Sequence, residues 1–240
     1  MLTESRYQLN HRTADRLAAE NETLRLRVQA QSLALRQAAM EAESFDYSIA
    51  HDLRTPLRAV ASTASILLNE LGPRLESDHR LLLTRQVHNA RKFGELIDGL
   101  LEYSRLGRAG IRKKPIDVTT LVRRFDPRVQ AQEGMRILAD PDLTIVALHC
   151  LIDNALKFSP RGPIQVRQKL GTISVVDSGI GFDAAYAHKI FLPFERLVGE
   201  EFPGTGIGLA KVKRIVDRHQ GRVWAEGAPG HGSTFSMNLP

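Results

Sequence analysis

Apolar residues recur along the first 45 residues of the chain in alternating steps of three and four. This spacing is typical of a coiled-coil helix, whose apolar stripe faces a partner helix. Nine of the twelve stripe positions are apolar, and a buried Asn such as Asn21 favours two strands at a cost in stability. We expect residues 1–43 to form a parallel dimeric coiled coil; a single amphipathic helix packed on another domain would give the same pattern. The stripe consists of Tyr7, Asn10, Ala14, Leu17, Asn21, Leu24, Val28, Gln31, Leu35, Ala38, Ala42 and Phe45.

The helical pattern continues beyond this stripe and then turns back. We expect the helix to run through residues 44–70 and to end at Leu71-Gly72-Pro73, because glycine and proline terminate helices. Two antiparallel helices joined by a short turn cannot bury both of their apolar faces alone. Residues 44–107 are therefore predicted to be a helical hairpin that dimerises into a four-helix bundle. The second helix carries its apolar pattern at Leu82, Gln86, Phe93, Leu96, Ile97, Leu100, Leu101 and Tyr103.

After residue 107 the pattern changes to short strands and shorter helices. Residues 108–115 are predicted to be a linker, because they combine glycine, a basic run and proline. Beyond it, glycine and proline become frequent, which predicts an α/β sandwich domain over residues 116–240. The fold class is thus an all-α part followed by an α+β domain. Strands are predicted at 164–169, 172–176, 222–225 and 233–237, and helices at 143–158 and 207–219.

Composition narrows the class of protein without identifying it. With 42% hydrophobic and 25% charged residues, wholesale disorder is excluded. The net charge of +6 permits nucleic-acid binding, but no zinc-finger spacing or basic stretch with aromatics supports it, so none is expected. The single cysteine, Cys150, excludes an internal disulfide and fits a reducing compartment. No apolar run reaches the ~20 residues of a membrane span, so we expect a cytoplasmic protein.

A histidine in the first bundle helix has neighbours that suit nucleophilic chemistry. Asp52 follows His51, and its carboxylate can hold the Nδ1–H of the imidazole, which leaves Nε2 as the nucleophile. Thr55 lies one turn later on the same face, where its hydroxyl could orient a water molecule. Pro56 cannot donate a backbone hydrogen bond, so we expect the helix to bend beside the histidine.

Two segments of the second domain have the residue types of a nucleotide site. Asn154 and Lys157 lie one turn apart on a predicted helix; an amide oxygen suits Mg²⁺, and a lysine can approach phosphates. Asp177 follows an apolar strand, where a carboxylate can accept a hydrogen bond from the amino group of adenine. Gly179 and Gly181 would let the main chain approach the base.

Two later segments complete this pattern. Gly204-Thr205-Gly206-Ile207-Gly208-Leu209 opens a helix, and amides at a helix N-terminus can cradle phosphate; a simple turn is the alternative. Phe194 lies in the segment 190–196, which an ordinary aromatic core pair would also explain. No Gly-Lys-Ser/Thr follows the glycines and no glycine fingerprint opens the domain, so Walker and Rossmann sites are excluded.

Together these segments resemble those of sensor histidine kinases of two-component systems. Residues 45–57 resemble the H-box of the HisKA phosphoacceptor domain, and their sequence is most similar to that of phytochrome- or PAS-linked kinases. The later segments resemble, in the family's order, the N-box, the adenine-binding box, the F-box and the glycine box of a GHKL (Bergerat) ATPase domain. The resemblance covers residues 42–240.

The resemblance implies a function and a set of partners. His51 would be phosphorylated by Mg-ATP with Asp52 as its acid/base partner, and Thr55 would serve in dephosphorylating the response regulator. Asn154 would bind Mg²⁺. The implied partners are a second copy of the chain, a response regulator receiver domain and an upstream sensory domain or sensor protein. The implied nucleotide-binding residues are Asn154, Lys157, Asp177, Gly179, Gly181, Phe194, Gly204, Thr205, Gly206, Gly208 and Leu209.

Three departures from the family pattern leave alternatives open. Cys150 stands where the family usually has asparagine, the segment 194–204 is short for an ATP lid, and Pro203 replaces a common glycine. These features favour a kinase-deficient dimeric scaffold or a phosphatase-biased regulator. A chaperone or topoisomerase ATPase of the same superfamily is a further alternative, which predicts multiple turnover without a phosphohistidine.

Overall fold

The computed structural model describes residues 2–107, 110–199 and 202–240. It divides into two compact units, residues 1–48 and residues 49–240, which are described separately. Arg108 and Ala109 of the predicted linker lie outside the described residues, as do Glu200 and Glu201 of the predicted lid. Within the described residues, no helix is both long enough and apolar enough to cross a membrane.

Within the first unit, residues 2–48 belong to helix α1, which spans Leu2–Leu71. The predicted helix is confirmed. Among the stripe side chains that are described, Leu17, Leu24 and Val28 are each at least half exposed, so the stripe is available to a partner helix. The coiled coil itself stays a prediction. The side chains of Tyr7, Asn10, Ala14 and Leu35 lie outside the described part.

Residues 49–107 form the predicted helical hairpin. Helix α1 ends at Leu71, a 3₁₀ turn covers Gly72–Arg74, and helix α2 spans Ser77–Leu106. The predicted stop at Gly72-Pro73 is therefore confirmed. Pro56 lies inside α1 without ending it, and the bend expected there stays a prediction.

The elements of the second domain are β1 Lys114–Asp117, α3 Val118–Val122, β2 Val129–Ala131, β3 Arg136–Ala139, α4 Pro141–Phe158, β4 Ile164–Lys169, β5 Thr172–Asp177, α5 Gly208–Arg218, β6 Arg222–Gly227 and β7 Ser233–Asn238. The domain is built on a five-stranded sheet in the order β2-β4-β5-β7-β6. Strand β2 runs parallel to β4, and the other neighbours are antiparallel. A separate two-stranded sheet pairs β1 with β3.

Every predicted strand and helix of this domain occurs, with ends shifted by at most two residues. The prediction missed β1, α3, β2 and β3, which have three to five residues each and are too short to show a period. Strand β1 includes Lys114 and Pro115, so the linker prediction was wrong there. Its pairing with β3 joins residues 19 to 25 positions apart, which a local pattern cannot reveal.

Helices α4 and α5 pack together on the sheet and bury a shared core. Leu148 and Ile152 of α4 and Ile215 of α5 are inaccessible to solvent. Burying a side chain of this size contributes about 1.5–3 kcal/mol. This core fixes the two helices that carry four of the eleven candidate nucleotide-binding residues, namely Asn154, Lys157, Gly208 and Leu209.

The start of α4 is fixed by a buried capping network. Asp140 Oδ1 accepts from the Leu143 amide at 3.2 Å, and Oδ2 accepts from the Arg112 amide at 2.8 Å. Burial alone would raise the pKa of Asp140, but these backbone bonds outweigh it and lower the pKa. The Asp140 amide donates to Nε2 of His219, which is buried, so His219 is structural.

The turn between β4 and β5 carries an unfavourable residue. Leu170 has a φ of +49° and is 92% exposed, beside Gly171 at +77°. Asparagine tolerates this left-handed conformation far better than leucine, and Asn-Gly is a favoured hairpin turn. We expect Leu170→Asn to raise the free energy of unfolding by about 1 kcal/mol, measured by urea denaturation. Leu170→Ala is the control, and an equal gain in both variants would contradict the conformational explanation.

Candidate active site

The predicted phosphoacceptor lies on the open surface of helix α1. Two thirds of the His51 side chain is exposed, and its Nδ1 lies 3.3 Å from Oδ1 of Asp52. The Thr55 hydroxyl donates to the backbone oxygen of His51 at 3.3 Å. In the tautomer that donates Nδ1–H to this carboxylate, the lone pair is on Nε2. The three predicted residues therefore lie within one helical turn.

Contacts with α2 hold this turn in place. Ala50, which precedes His51, is buried against Ile97 and Leu101. Arg54 donates through Nε to Oδ1 of Asp98 at 2.8 Å. Because α1 is anchored on both sides of His51, the imidazole is directed away from the hairpin core.

The ATPase-like domain contains a cavity of about 640 Å³ between α4 and the segments that precede α5. This volume lies within the range of small-molecule sites. Asp177, Gly179 and Phe194 are not among the described residues that line it. Eight of the predicted residues do line it, namely Asn154, Lys157, Gly181, Gly204, Thr205, Gly206, Gly208 and Leu209.

Asp177 lies behind one wall of the cavity, at the end of β5. It pairs across the sheet with Ser233, which lines the cavity, and only 6% of Asp177 is exposed. Burial raises the pKa of this carboxyl group, against hydrogen bonds from the amides of Gly179, at 2.8 Å, and Ser233. The result is a desolvated acceptor beside the cavity, as an adenine-reading carboxylate requires.

The glycines after Asp177 are required by main-chain packing. A Cβ atom on Gly179 would lie 2.1 Å from the Phe158 carbonyl oxygen. Gly181 has a φ of +64°, and its Cβ would lie 1.9 Å from the Ala228 oxygen. The sequence led us to expect that these glycines let the main chain approach adenine. The structure adds that neighbouring carbonyl groups exclude a side chain at both positions.

Phe194 contacts the glycine-rich loop and is not among the described residues that line the cavity. It is 47% exposed with a φ of +67°, and its amide donates to the Gly206 oxygen at 3.1 Å. A Cβ on Gly206 would lie 2.9 Å from the Phe194 carbonyl carbon. Phe194 therefore positions the glycine-rich segment through its backbone.

Two cationic side chains, Lys157 and Arg196, lie at the glycine-rich end of the cavity. The Nζ atom of Lys157 lies 3.0 Å from the point where a Cβ on Gly204 would be. Burial and, secondarily, the charge of Arg196 lower the pKa of Lys157. Arg196 also lines the cavity. Two partly desolvated cations beside the N-terminus of α5 form a site that suits phosphate groups.

The short segment that ends at Gly204 is held by internal contacts. Arg196 donates through Nη2 to the backbone oxygens of Gly199 and Phe202, both at 2.6 Å. The Phe202 ring packs against Phe158, with 5.0 Å between centroids. This arrangement keeps Arg196 beside Lys157.

Cys150 lines the cavity as a neutral residue. Burial raises the pKa of its thiol to about 11, so it stays protonated near neutral pH and is a poor ligand for Mg²⁺. Among the described residues, no three His, Cys, Asp or Glu side chains are grouped to hold a metal. Mg²⁺ would fit here with the Asn154 amide oxygen and phosphate oxygens as ligands, since it commonly binds through few protein groups.

Several lining residues were not identified from the sequence. The Nδ1 atom of His149 lies 3.1 Å from Oδ2 of Asp153 on the cavity face of α4. Their spacing could have revealed them, because His149, Asp153 and Lys157 follow one another in steps of four, and residues four apart share a helix face. Glu102 and Lys211 also line the cavity, and no local signal joins them.

Comparisons with known proteins identify both domains. The family model of the "His Kinase A (phospho-acceptor) domain" matches residues 44–109. The model of the "Histidine kinase-, DNA gyrase B-, and HSP90-like ATPase" matches residues 139–240. Together the two models cover more than half of the chain.

Individual relatives agree with these matches. Cyanobacterial phytochrome A of Nostoc sp. is 31% identical over 86% of this chain and 29% of its own length. The sensor-like histidine kinase SenX3 of Mycobacterium bovis is 32% identical over 85% of this chain and 55% of its own length. The crystal structure of full-length ShkA in complex with AMPPNP matches with a TM-score of 0.56 and 26% identity, over 81% of this chain and 45% of that chain. The chain thus spans between about a third and about half of these relatives. It belongs to the sensor histidine kinases, of which it carries the phosphoacceptor and ATPase domains.

Proposed function

We propose that this chain transfers the γ-phosphoryl group of ATP to His51 and then to an aspartate of a response regulator. The observation that carries the proposal is the presence in one chain of an exposed His51–Asp52 pair and a cavity with cations beside a glycine-rich helix start. The ShkA complex with AMPPNP supports an ATP-type ligand for the cavity. Beyond the three departures in sequence, neither the comparisons nor the described part of the structure supports the alternative of a non-catalytic scaffold.

The geometry suggests a separate role for each residue in phosphoryl transfer. Asp52 accepts the hydrogen bond from Nδ1–H of His51, so Nε2 carries the lone pair that attacks the γ-phosphorus. The Nε2–P bond forms as the bond from phosphorus to the bridging oxygen breaks, and ADP leaves. Lys157 and Arg196 offset the charge on the phosphates. Asn154 would hold Mg²⁺, which neutralises phosphate charge when bound.

Thr55 supports a second, opposite activity. Its hydroxyl lies one turn from His51 and uses its proton in a bond to the His51 carbonyl. Rotation about the side-chain bond would free it to orient a water molecule toward a phosphorylated receiver aspartate. We therefore include phosphatase activity toward the response regulator in the proposal.

The hairpin presents an apolar face that a second copy would cover. Leu53, Val60 and Leu67 of α1 recur every seven residues and are 43%, 40% and 37% exposed. On α2, Phe93 and Leu100 are also seven residues apart and about half exposed. A seven-residue repeat is the signature of helix-on-helix packing, so we propose a homodimeric four-helix bundle, continued by a coiled coil over residues 1–43.

The dimer can be tested by charge insertion. Val60→Glu with Leu67→Glu would place two carboxylates in the proposed interface, and we expect the dimer dissociation constant to rise at least about tenfold. Analytical ultracentrifugation over a dilution series would measure it. Arg58→Glu, an exposed change on the same helix, is the control. Equal dissociation constants for all three proteins would contradict this interface.

The remaining partners follow from the chemistry. The phosphoryl group needs an acceptor aspartate, for which we propose a separate receiver domain. The phytochrome relatives support an upstream sensory domain or sensor protein as the source of the signal. We place the reaction in the cytoplasm, where ATP is available and a free cysteine such as Cys150 stays reduced.

Incubation with γ-³²P-labelled ATP and Mg²⁺ tests the central proposal. We expect a label on the protein that is stable to alkali and lost in acid, as a phosphoramidate is. Multiple turnover of ATP with no retained label would instead indicate an ATPase of another type. A folded protein that gains no label would support the scaffold.

A further inference from the structure

One ion pair joins the two domains inside the nucleotide cavity. Lys211 of α5 donates to Glu102 of α2, and both side chains line the cavity together with Asn154 and Lys157. The Lys211 side chain is only 15% exposed, whereas that of Glu102 is 62% exposed. Both charges also act on the Cys150 thiol in the cavity wall. A carboxylate is therefore in contact with one of the cations nearest to the expected phosphates.

The ion pair belongs to a wider contact between α2 and α5. Gly99 packs so closely on Ile207 that a Cβ atom there would lie 2.6 Å from its Cδ1. The Arg214 guanidinium lies 4.9 Å from the centre of the Tyr103 ring. Arg218 donates to the Leu106 carbonyl oxygen at 2.5 Å. The last turns of α2 thus form a docking surface for the ATPase domain, with the Lys211–Glu102 pair at its cavity end.

We propose that this pair is a nucleotide-sensitive latch. Without nucleotide, Lys211 is neutralised by Glu102 and the ATPase domain is docked on α2. The phosphates of a nucleotide bring a higher negative charge to the same cavity, so they compete for Lys211 and repel Glu102. Breaking the pair weakens docking and lets the domain move relative to the helix that carries His51. The inference rests on the proposed function only in taking ATP as the ligand of the cavity.

Position and chemistry make Lys211 suited to this exchange. It lies in the first turn of α5, three residues after Gly208, where backbone amides and the helix dipole already favour an anion. Lysine has three rotatable donors on a flexible stem, so it can exchange partners with little movement of the helix. By contrast, Lys213 bonds Asp217 within α5, outside this cavity.

Affinity for AMPPNP, measured by calorimetry on the full chain, gives the first test. Glu102→Gln removes the competing carboxylate, and we expect about three- to fivefold tighter binding. Lys211→Met removes the phosphate partner, and we expect weaker binding by about the same factor. In the Lys211→Met protein, Glu102→Gln should have a smaller effect, because the latch no longer exists. Lys213→Met is the matched control and should bind as the parent does.

Domain position gives the second test. Nitroxide labels at Glu95→Cys on α2 and Leu170→Cys at the β4–β5 turn, in a Cys150→Ala background, report the distance between the two elements. In this labelled protein, we expect AMPPNP to broaden or shift the distribution of distances between the two labels. Adding Glu102→Gln should have the same effect without nucleotide. Unchanged or weaker binding by Glu102→Gln, or a distance distribution that AMPPNP neither broadens nor shifts, would overturn the latch. A parent that binds no nucleotide would overturn the proposed function as well, so the two failures are distinguishable.

Discussion

Replacing His51 with glutamine is expected to abolish retention of the acid-labile phosphoryl group while leaving nucleotide binding intact. Glutamine keeps a polar side chain on an exposed helix position but has no ring nitrogen to form the Nε2–P bond. His51 is two thirds exposed and its side chain bonds only its neighbour Asp52 among the described contacts, so stability should change by less than about 0.5 kcal/mol. The measurement is label incorporation from γ-³²P-ATP in parallel with AMPPNP calorimetry.

The hairpin offers a matched control for this variant. His88 is exposed on α2, and His88→Gln should incorporate label at the parent rate. Label retained in His51→Gln would assign the phosphoacceptor to another residue. Loss of both label and nucleotide binding would show that the substitution acts on the fold rather than on the nucleophile.

Replacing Asp177 with asparagine is expected to weaken nucleotide binding by about 10- to 100-fold. The ionised carboxylate is the stronger acceptor for an adenine amino group, and a hydrogen bond to a charged partner contributes about 1.5–3 kcal/mol. Because burial raises the pKa of Asp177, the ionised form is costly in the folded protein. Its neutral replacement should therefore change the free energy of unfolding by no more than about 1 kcal/mol. Calorimetry with AMPPNP and urea denaturation would measure the two effects.

The same carboxyl group sets an expected pH dependence. Since the folded-state pKa is raised, Asp177 takes up a proton at a higher pH than an exposed aspartate does. Nucleotide affinity should therefore decline as the pH falls through this raised value, and the decline should be absent in Asp177→Asn. Asp183→Asn, in the exposed cap that follows, is the control. Equal affinity of Asp177→Asn and the parent would remove Asp177 from the binding site.

The ordered motifs made much of this protein predictable. Each motif is a local pattern: a histidine followed by aspartate, an asparagine and lysine one turn apart, and glycines at a helix start. Local patterns also fix the long helices, since α1 and α2 show their apolar period over many turns. The short elements β1, α3, β2 and β3 escaped because three to five residues do not show a period.

Long-range contacts explain what the motifs could not show. Gly179 and Gly181 are required because the carbonyl groups of Phe158 and Ala228, which belong to other segments, leave no room for a Cβ atom. Phe194 belongs to an aromatic motif but supports the loop from outside the cavity. His149 lines the cavity because α4 turns that face toward it.

The sequence by itself determined the family, the order of the domains and the candidate chemistry, because these depend on residue types at short spacings. Only the tertiary structure decided which charges meet. Lys157 and Arg196 converge on the glycine-rich segment from positions 39 residues apart, and Lys211 reaches Glu102 across 109 positions. Such pairs arise when a packed core brings distant segments together, and their separation along the chain carries no local pattern that reveals them.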